Sequence, residues 1–229
     1  MSSLRPLFLF SDPFMVAPMI SVFPDFTFEA LAFAQGARIV VGVDEVGRGP
    51  LAGPVTACAV RLEADRIPHG IADSKVLTAA RRRLLHDEIC SVAEVSIGHA
   101  TVEEIDALNI LRASHLAMER AIAGIRGADH ALIDGHMLPR GLACAATAII
   151  KGDARCLSIA AASIVAKVTR DRMMVDLAQQ HPGYGWEHNA GYPTEAHLAA
   201  LQNLGATAHH RRSFRPVHNI LYQEKYVTP

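Results

Sequence analysis

Two adjacent carboxylates, Asp44 and Glu45, follow the run Ile39-Val40-Val41-Gly42-Val43 and lead straight into the turn Gly47-Arg48-Gly49-Pro50. The β-branched run reads as a buried strand. Two negative charges at its end are costly unless something positive lies between them, and hard oxygen donors suit Mg2+ or Mn2+. The turn has a glycine on each side of an arginine, so its backbone amides can approach a ligand closely. The arrangement recurs: Ala131-Leu132-Ile133 ends in Asp134-Gly135, and a strand from Ala145 to Ile150 runs into Lys151-Gly152-Asp153. A lone Asp-Gly is a common turn, but open α/β sheets place their chemistry at strand ends, and three such ends are harder to dismiss. If Asp44, Glu45, Asp134 and Asp153 converge, they supply ligands for two divalent ions roughly 4 Å apart, a pair that activates water on one side of a phosphodiester and stabilises the leaving oxygen on the other. Neighbours on a regular strand face opposite sides, so Asp44 and Glu45 share a site only where the strand bends or ends. The competing reading makes Asp134 and Asp153 ordinary turn residues and turns Glu45 to solvent; spacing alone leaves both open.

The elements that must position these groups alternate along the chain. FTFEALAFAQ (26–35) fits a short amphipathic helix with Gly36 as its C′ residue. Val55 to Val60 is the second arm of a hairpin, and Thr78 caps a helix running to Val92. Glu94 to Ala100 reads as a strand. Thr101 and Glu104 form a capping-box pattern opening a helical region that continues to about Ile125. The alanine-rich stretch from Ser158 to Gln180 is a helix with side chains small enough to pack close to a sheet, and a further helix spans Thr194 to Leu204. The expected architecture is a mixed sheet flanked by helices, with a helical C-terminal extension. Residues 25–180 are expected to form the main domain and residues 181–229 an extension packed on it. Residues 1–24 read as a poorly ordered extension, or as translation upstream of a start at Met15 or Met19.

Half of the 229 residues are apolar, enough for a sizeable core, and the formal charge is −1. Any nucleic-acid binding must therefore rest on a local basic patch. The densest one is His209, His210, Arg211, Arg212 and Arg215, with Phe214 nearby for stacking. That cluster supports a second reading, a binding module without catalysis. Arg81 to Arg83 read as a solvated helix face, whereas Asp73-Ser74-Lys75, beside a helix start, could hold a phosphate. Cys58, Cys90, Cys144 and Cys156 lack CxxC spacing and read as reduced, buried thiols rather than a zinc site. Leu7 to Phe10 is interrupted by Asp12 and Pro13, so no membrane span is expected and a cytoplasmic location follows by default.

From about Phe28 to Asn219 the chain resembles bacterial type 2 ribonuclease H, the ribonuclease HII family, through GVDEVGRGPLAGPV, ADSKVL, EEIDALNILRASHLAME, LIDG, IKGD, SIAAASIVAKVTRD, YGWEHNAGYPTEAH and HRRSF, in the family's order. The resemblance implies a ribonuclease H-like sheet and a monomeric endonuclease acting on RNA–DNA hybrids and on single ribonucleotides in duplex DNA. It implies cleavage 5′ to the ribonucleotide, leaving a 3′-hydroxyl and a 5′-phosphate, with Mg2+ or Mn2+. It makes Asp44, Glu45 and Asp134 the core metal ligands and Asp153 the fourth acidic residue. Gly47, Arg48 and Gly49 would recognise the ribose 2′-hydroxyl, Tyr192 would pack on the sugar past the RNA–DNA junction, and Ser74, Lys75 and Lys151 would lie on the phosphate side. Val76 and Ala190 stand where the family often carries lysine, which puts two backbone contacts in doubt. Another metal-dependent phosphodiesterase on the same sheet, a phosphatase or DNA resolvase, is the remaining alternative; a 2′-hydroxyl reader in the glycine turn argues against it.

Overall fold

A computed structural model of the chain describes residues 23–222, so the expectations for residues 1–22 and for the tail past Tyr222 lie outside the described residues. In chain order the elements are α1 (Thr27–Ala34), β1 (Val40–Val46), β2 (Val55–Arg61), α2 (Ala79–Val92), β3 (Glu94–Ala100), α3 (Val102–Leu108), α4 (Ile110–Ala123), β4 (His130–Asp134), β5 (Ala145–Ile149), a 3-10 turn (Gly152–Ala154), α5 (Leu157–Gln180), α6 (Trp186–Asn189), α7 (Glu195–Leu204) and α8 (Arg215–Tyr222). The sheet order is β3-β2-β1-β4-β5. β1, β2 and β3 pair antiparallel, while β4 and β5 run parallel to β1. This is the expected mixed sheet. No helix among the described residues is long and apolar enough to cross a membrane.

β1 lies in the middle of the sheet with a helix over each face, which is why its sequence is a nearly unbroken apolar run. Val41 and Val43 pack with Ala113, Ala117 and Ala121 of α4. On the other face α5 sets Ala160, Ala161 and Ala162 against Cys58 and Val60 of β2, and Leu85 and Ile89 of α2 close that cluster. The small residues of α5 bring it as near the sheet as expected. A Cβ on Gly42 would lie 2.1 Å from the Ser158 carbonyl carbon. Backbone cannot yield as a flexible side chain can, so Gly42→Ala is expected to cost about 3 kcal/mol, the upper end of ordinary overpacking. Equilibrium denaturation measures it, and a cost below about 1 kcal/mol would show that α5 slides freely.

The sequence signals at helix starts are realised. Thr78 accepts from the Arg81 amide, and Thr101 with Glu104 forms both bonds of a capping box. The helical region after Thr101 is not continuous, however. Asn109, at φ 70°, breaks it, and its side chain accepts from the amides of Leu111 and Arg112 to start α4 afresh. The thiols also differ from expectation: Cys58 and Cys156 are buried, but Cys144 is half-buried and Cys90 exposed. Leu85 and Ile89 take the inward face of α2, and the helical repeat carries Cys90 off that face.

Candidate active site

The carboxylates meet at the C-terminal ends of β1 and β4. β4 pairs with β1 only as far as Val43 opposite Ile133, and Asp134 ends β4. Beyond that point β1 continues with Asp44 and Glu45, paired on its other side with Cys58 and Ala57 of β2. Strand alternation is obeyed: Gly42 of β1 lies against α5, and Asp44 two residues on shares that face, where Ser163 of α5 touches its carboxyl. Glu45, on the α4 face, reaches the same cleft because no parallel neighbour covers the protruding end of β1. The cleft, of about 300 Å³, is lined by Asp44, Glu45, Asp134, Ser74, Lys75 and Tyr192, together with Val46, Arg82, Ser163 and Lys167. Asp153 is buried behind it, its Oδ2 bound to Lys75 Nζ at 2.6 Å.

Burial pushes the Asp44 carboxyl well above the usual carboxylate range; Glu45 and Asp134 add to the push, Ser163 opposes it, and Asp153 adds a last increment. Burial likewise raises Glu45, against the pull of Arg48, whose Nη1 lies 3.2 Å from Oε1. Asp134 is raised by burial too, opposed by the Gly152 amide that donates to its Oδ1 at 2.7 Å, with Asp153 pushing the other way. Burial lowers Lys75, but Asp153 outweighs it and holds the ammonium at about 12. Asp44, Glu45 and Asp134, driven toward the neutral form, are a donor set short of positive charge, and all-oxygen donors fit Mg2+ or Mn2+ in type. Among the described residues no three His, Cys, Asp or Glu side chains are already gathered into a cage. Arg48 and Lys75 instead hold Glu45 and Asp153.

The glycine turn sits beside Tyr192. A Cβ on Gly49 would lie 3.2 Å from the Tyr192 ring, and Tyr192 is 41% exposed, so it is a wall of the cleft rather than a core residue. Gly47 takes φ 95° and is buried, while Arg48 is exposed. Ser74 bonds Ser163 at 2.9 Å, lining the cleft floor. Lys151 is exposed at the start of the 3-10 turn, in a left-handed conformation, and is not among the cleft-lining residues. Val76 is exposed, and Ala190 is left-handed at φ 49°, its carbonyl oxygen accepting from Arg170 Nη1.

The basic cluster of the C-terminal part is not a patch. His210 and Arg211 are fully buried. Residues 209–211 run beside the loop after β1: the Gly53 amide donates to His209 O at 2.9 Å, and the Arg211 amide to Leu51 O at 2.8 Å. Arg211 lies over the Phe214 ring, 5.1 Å from its centroid, so that ring is used internally. Only Arg212 and Arg215 of the three arginines remain exposed, and the amides of Arg212 and Ser213 are held by Asp106. A five-donor guanidinium can be buried wherever carbonyls satisfy it, so the cationic tract that would carry a binding module without catalysis is reduced at the surface to Arg212 and Arg215, with His209 half-buried.

Three polar cleft residues were not singled out from the sequence. Ser163 and Lys167 lie four apart on α5, in a polar line that Asp171 continues by pairing with Lys167, and that spacing was the available signal. Arg82, read as part of a solvated face, turns inward and donates to the carbonyls of Ser74 and Leu77.

A family model described as Ribonuclease HII matches residues 41–217. A ribonuclease HII of Cereibacter sphaeroides is 70% identical over 207 residues, covering 90% of this chain and 98% of that protein. One from Ruegeria pomeroyi is 67% identical over 202 residues, covering 88% and 86%. Among solved structures, the ribonuclease H2 from Pyrococcus horikoshii OT3 superposes with a TM-score of 0.67 at 27% identity, covering 80% of this chain and 97% of that one. Bst-RNase HIII in complex with Mn2+ shares the fold, with a TM-score of 0.67 at 17% identity over 85% and 72% of the two chains.

Proposed function

The chain belongs to the ribonuclease HII family of metal-dependent endoribonucleases acting on RNA–DNA hybrids, and from that premise we propose that it also cuts 5′ to single ribonucleotides in duplex DNA, leaving a 3′-hydroxyl and a 5′-phosphate. The observation that carries this reading is the meeting, in one cleft, of three carboxylates with raised proton affinity and a tyrosine wall beside a glycine turn. Asp44, Glu45 and Asp134 would hold two divalent ions, Mg2+ or Mn2+, with Asp153 as the fourth acidic group. When bound, the ions supply Lewis acidity to the scissile phosphate and lower the pKa of water. The protein's own part is positioning. Gly47, Arg48 and Gly49 would approach the ribose closely enough to sense its 2′-hydroxyl, Tyr192 would pack on the neighbouring sugar, Ser74 and Lys75 would face phosphate oxygens within the cleft, and Lys151 would do so from outside it. Lys75 would offer its ammonium to a phosphate oxygen, and Asp153, the carboxylate it now binds, would serve as the fourth acidic group. The reading includes a monomer working in the cytoplasm, with residues 25–180 as the catalytic domain and the segment past 180 serving the same site.

The test is a duplex containing one ribonucleotide, incubated with purified protein in Mg2+ and in Mn2+, beside an all-DNA duplex. Cleavage is expected only at the ribonucleotide and only with metal. Equal cutting of both duplexes, or ribonucleotide-dependent cutting that persists in EDTA, would defeat the proposal.

A further inference from the structure

Arg170 and Arg211 have no exposed surface at all, yet their hydrogen bonds go to main-chain carbonyls rather than to carboxylates. Arg170, from α5, donates Nε to Pro54 O at 3.0 Å, Nη2 to Ala52 O at 3.0 Å and Nη1 to Ala190 O at 2.9 Å. Arg211 donates Nε to Gly53 O at 2.9 Å and Nη1 to Arg48 O at 3.0 Å, while Nη2 reaches Gly47 O at 2.6 Å and Gly53 O at 2.8 Å. We propose that these two arginines are positioning residues for ribose recognition: they fix the main chain of the 47–54 loop and the turn carrying Tyr192 in one register against each other.

A role in generic stability accounts poorly for this arrangement, because packed apolar residues of similar volume stabilise a core as well as buried charge does. What a guanidinium adds is a rigid planar fork that holds several carbonyls at once, which a lysine cannot imitate. The surrounding glycines fit the same account. A Cβ on Gly47 would lie 2.2 Å from Arg170 Nε, so that guanidinium rests directly on the bare α-carbon of the turn. A Cβ on Gly191 would lie 2.8 Å from Ala52 O, and the Leu51 amide donates to Gly191 O at 2.7 Å. The turn before Tyr192 is therefore packed on the same loop that the arginines hold, and a slip of that loop moves Tyr192 relative to Gly49. Burial lowers the two guanidiniums, Arg170 to about 10 and Arg211 to about 9, both still charged at neutral pH.

The inference rests on the reading that the glycine turn senses the 2′-hydroxyl. Its test compares kcat/KM on duplexes carrying one ribonucleotide with duplexes carrying one 2′-fluoro-2′-deoxynucleotide, which keeps an acceptor of similar size but loses the hydroxyl donor. Arg170→Lys and Arg211→Lys are assayed beside the unaltered protein, at a temperature where circular dichroism shows them folded. The unaltered protein is expected to favour the ribonucleotide strongly, and each variant to narrow that preference about tenfold or more, the loss typical of a charged hydrogen bond. A merely structural role would lower both rates by the same factor and leave the preference unchanged, which would overturn the proposal. Loss of both variants to global unfolding would overturn it as well, by showing that the two cations serve the fold as a whole. If the unaltered protein itself shows no preference, the reading of the glycine turn fails first, an outcome distinct from an unchanged preference in the variants.

Discussion

Asp134→Asn is expected to lower kcat/KM at least ~10³-fold on a ribonucleotide-containing duplex, because a metal ligand contributes several kcal/mol to the transition state and each 1.36 kcal/mol is tenfold in rate. The same change is expected to raise the melting temperature of the metal-free protein. Asp134 is one of the charges that push Asp44 toward its neutral form, and it is itself raised by burial and by Asp153. Asparagine removes that charge while its carbonyl oxygen can still accept the Gly152 amide that now donates to Oδ1 at 2.7 Å. Repulsion falls and no buried donor is orphaned, so melting should rise by about 2–4 °C per kcal/mol relieved in a protein of this size. The stabilisation that Mn2+ gives the unaltered protein should shrink in parallel, since fewer ligands remain. Scanning calorimetry with EDTA and with Mn2+, alongside the cleavage assay, checks all three. Substantial turnover by a pure sample, or a metal-free variant that melts lower than its parent, would show that Asp134 holds the sheet rather than an ion.

The parts of this molecule legible in the sequence are those whose cause is local. β1 announces itself because both its faces are buried, and Thr78, Thr101 and Glu104 cap helices through bonds to amides three residues away. The convergence of Asp44 with Asp134 is one of two readings that spacing leaves open; it follows because β1 and β4 run parallel and Asp134 ends β4 beside the stretch of β1 that β4 leaves uncovered. What stayed hidden has distant causes. Nothing near Arg211 in sequence says that its donors will meet the carbonyls of Gly47, Arg48 and Gly53, more than 150 residues earlier, and without those partners an arginine beside histidines reads as surface. Asn109 looked like a helical residue because the apolar period runs through it, although its side chain competes for the amides that follow. Arg82 belongs to the same class, a run of three arginines of which one turns back onto a loop.

Burial holds His197 and His210 of the C-terminal part below their ordinary range, and hydrogen-bond chemistry fixes their tautomers. The Trp186 indole can only donate, and its Nε1 lies 3.0 Å from His197 Nε2, so that nitrogen accepts. His197 therefore carries its proton on Nδ1, 2.9 Å from Tyr192 O. His210 Nε2, 3.2 Å from the same accepting nitrogen, must be protonated, which leaves His210 Nδ1 to accept the Thr207 amide at 3.0 Å. A further proton on either ring would set an N–H against an N–H. Burial, with His197, His209 and His181 adding to it, accordingly holds His210 down to about 4, against an ordinary value near 6.5. A base whose folded pKa is depressed contributes stability that is complete above its unfolded pKa. That contribution is lost as pH falls from about 6.5 to about 4, on the order of 2–3 kcal/mol in all. Asp44, Glu45 and Asp134, raised by burial, act in the opposite direction in the metal-free protein, favouring the fold as pH falls toward the ordinary carboxylate range. Bulk melting curves therefore mix the two trends, and the decisive measurement is residue-specific: the imidazole resonances of His210 followed by NMR from pH 8 downward. The ring should stay neutral, in the Nε2–H form, through pH 6, and any protonation should coincide with loosening of the contact between residues 209–211 and the loop before β2. A His210 ring that titrates near 6.5 with the fold intact would mean that the relay from Trp186 through His197 is not closed.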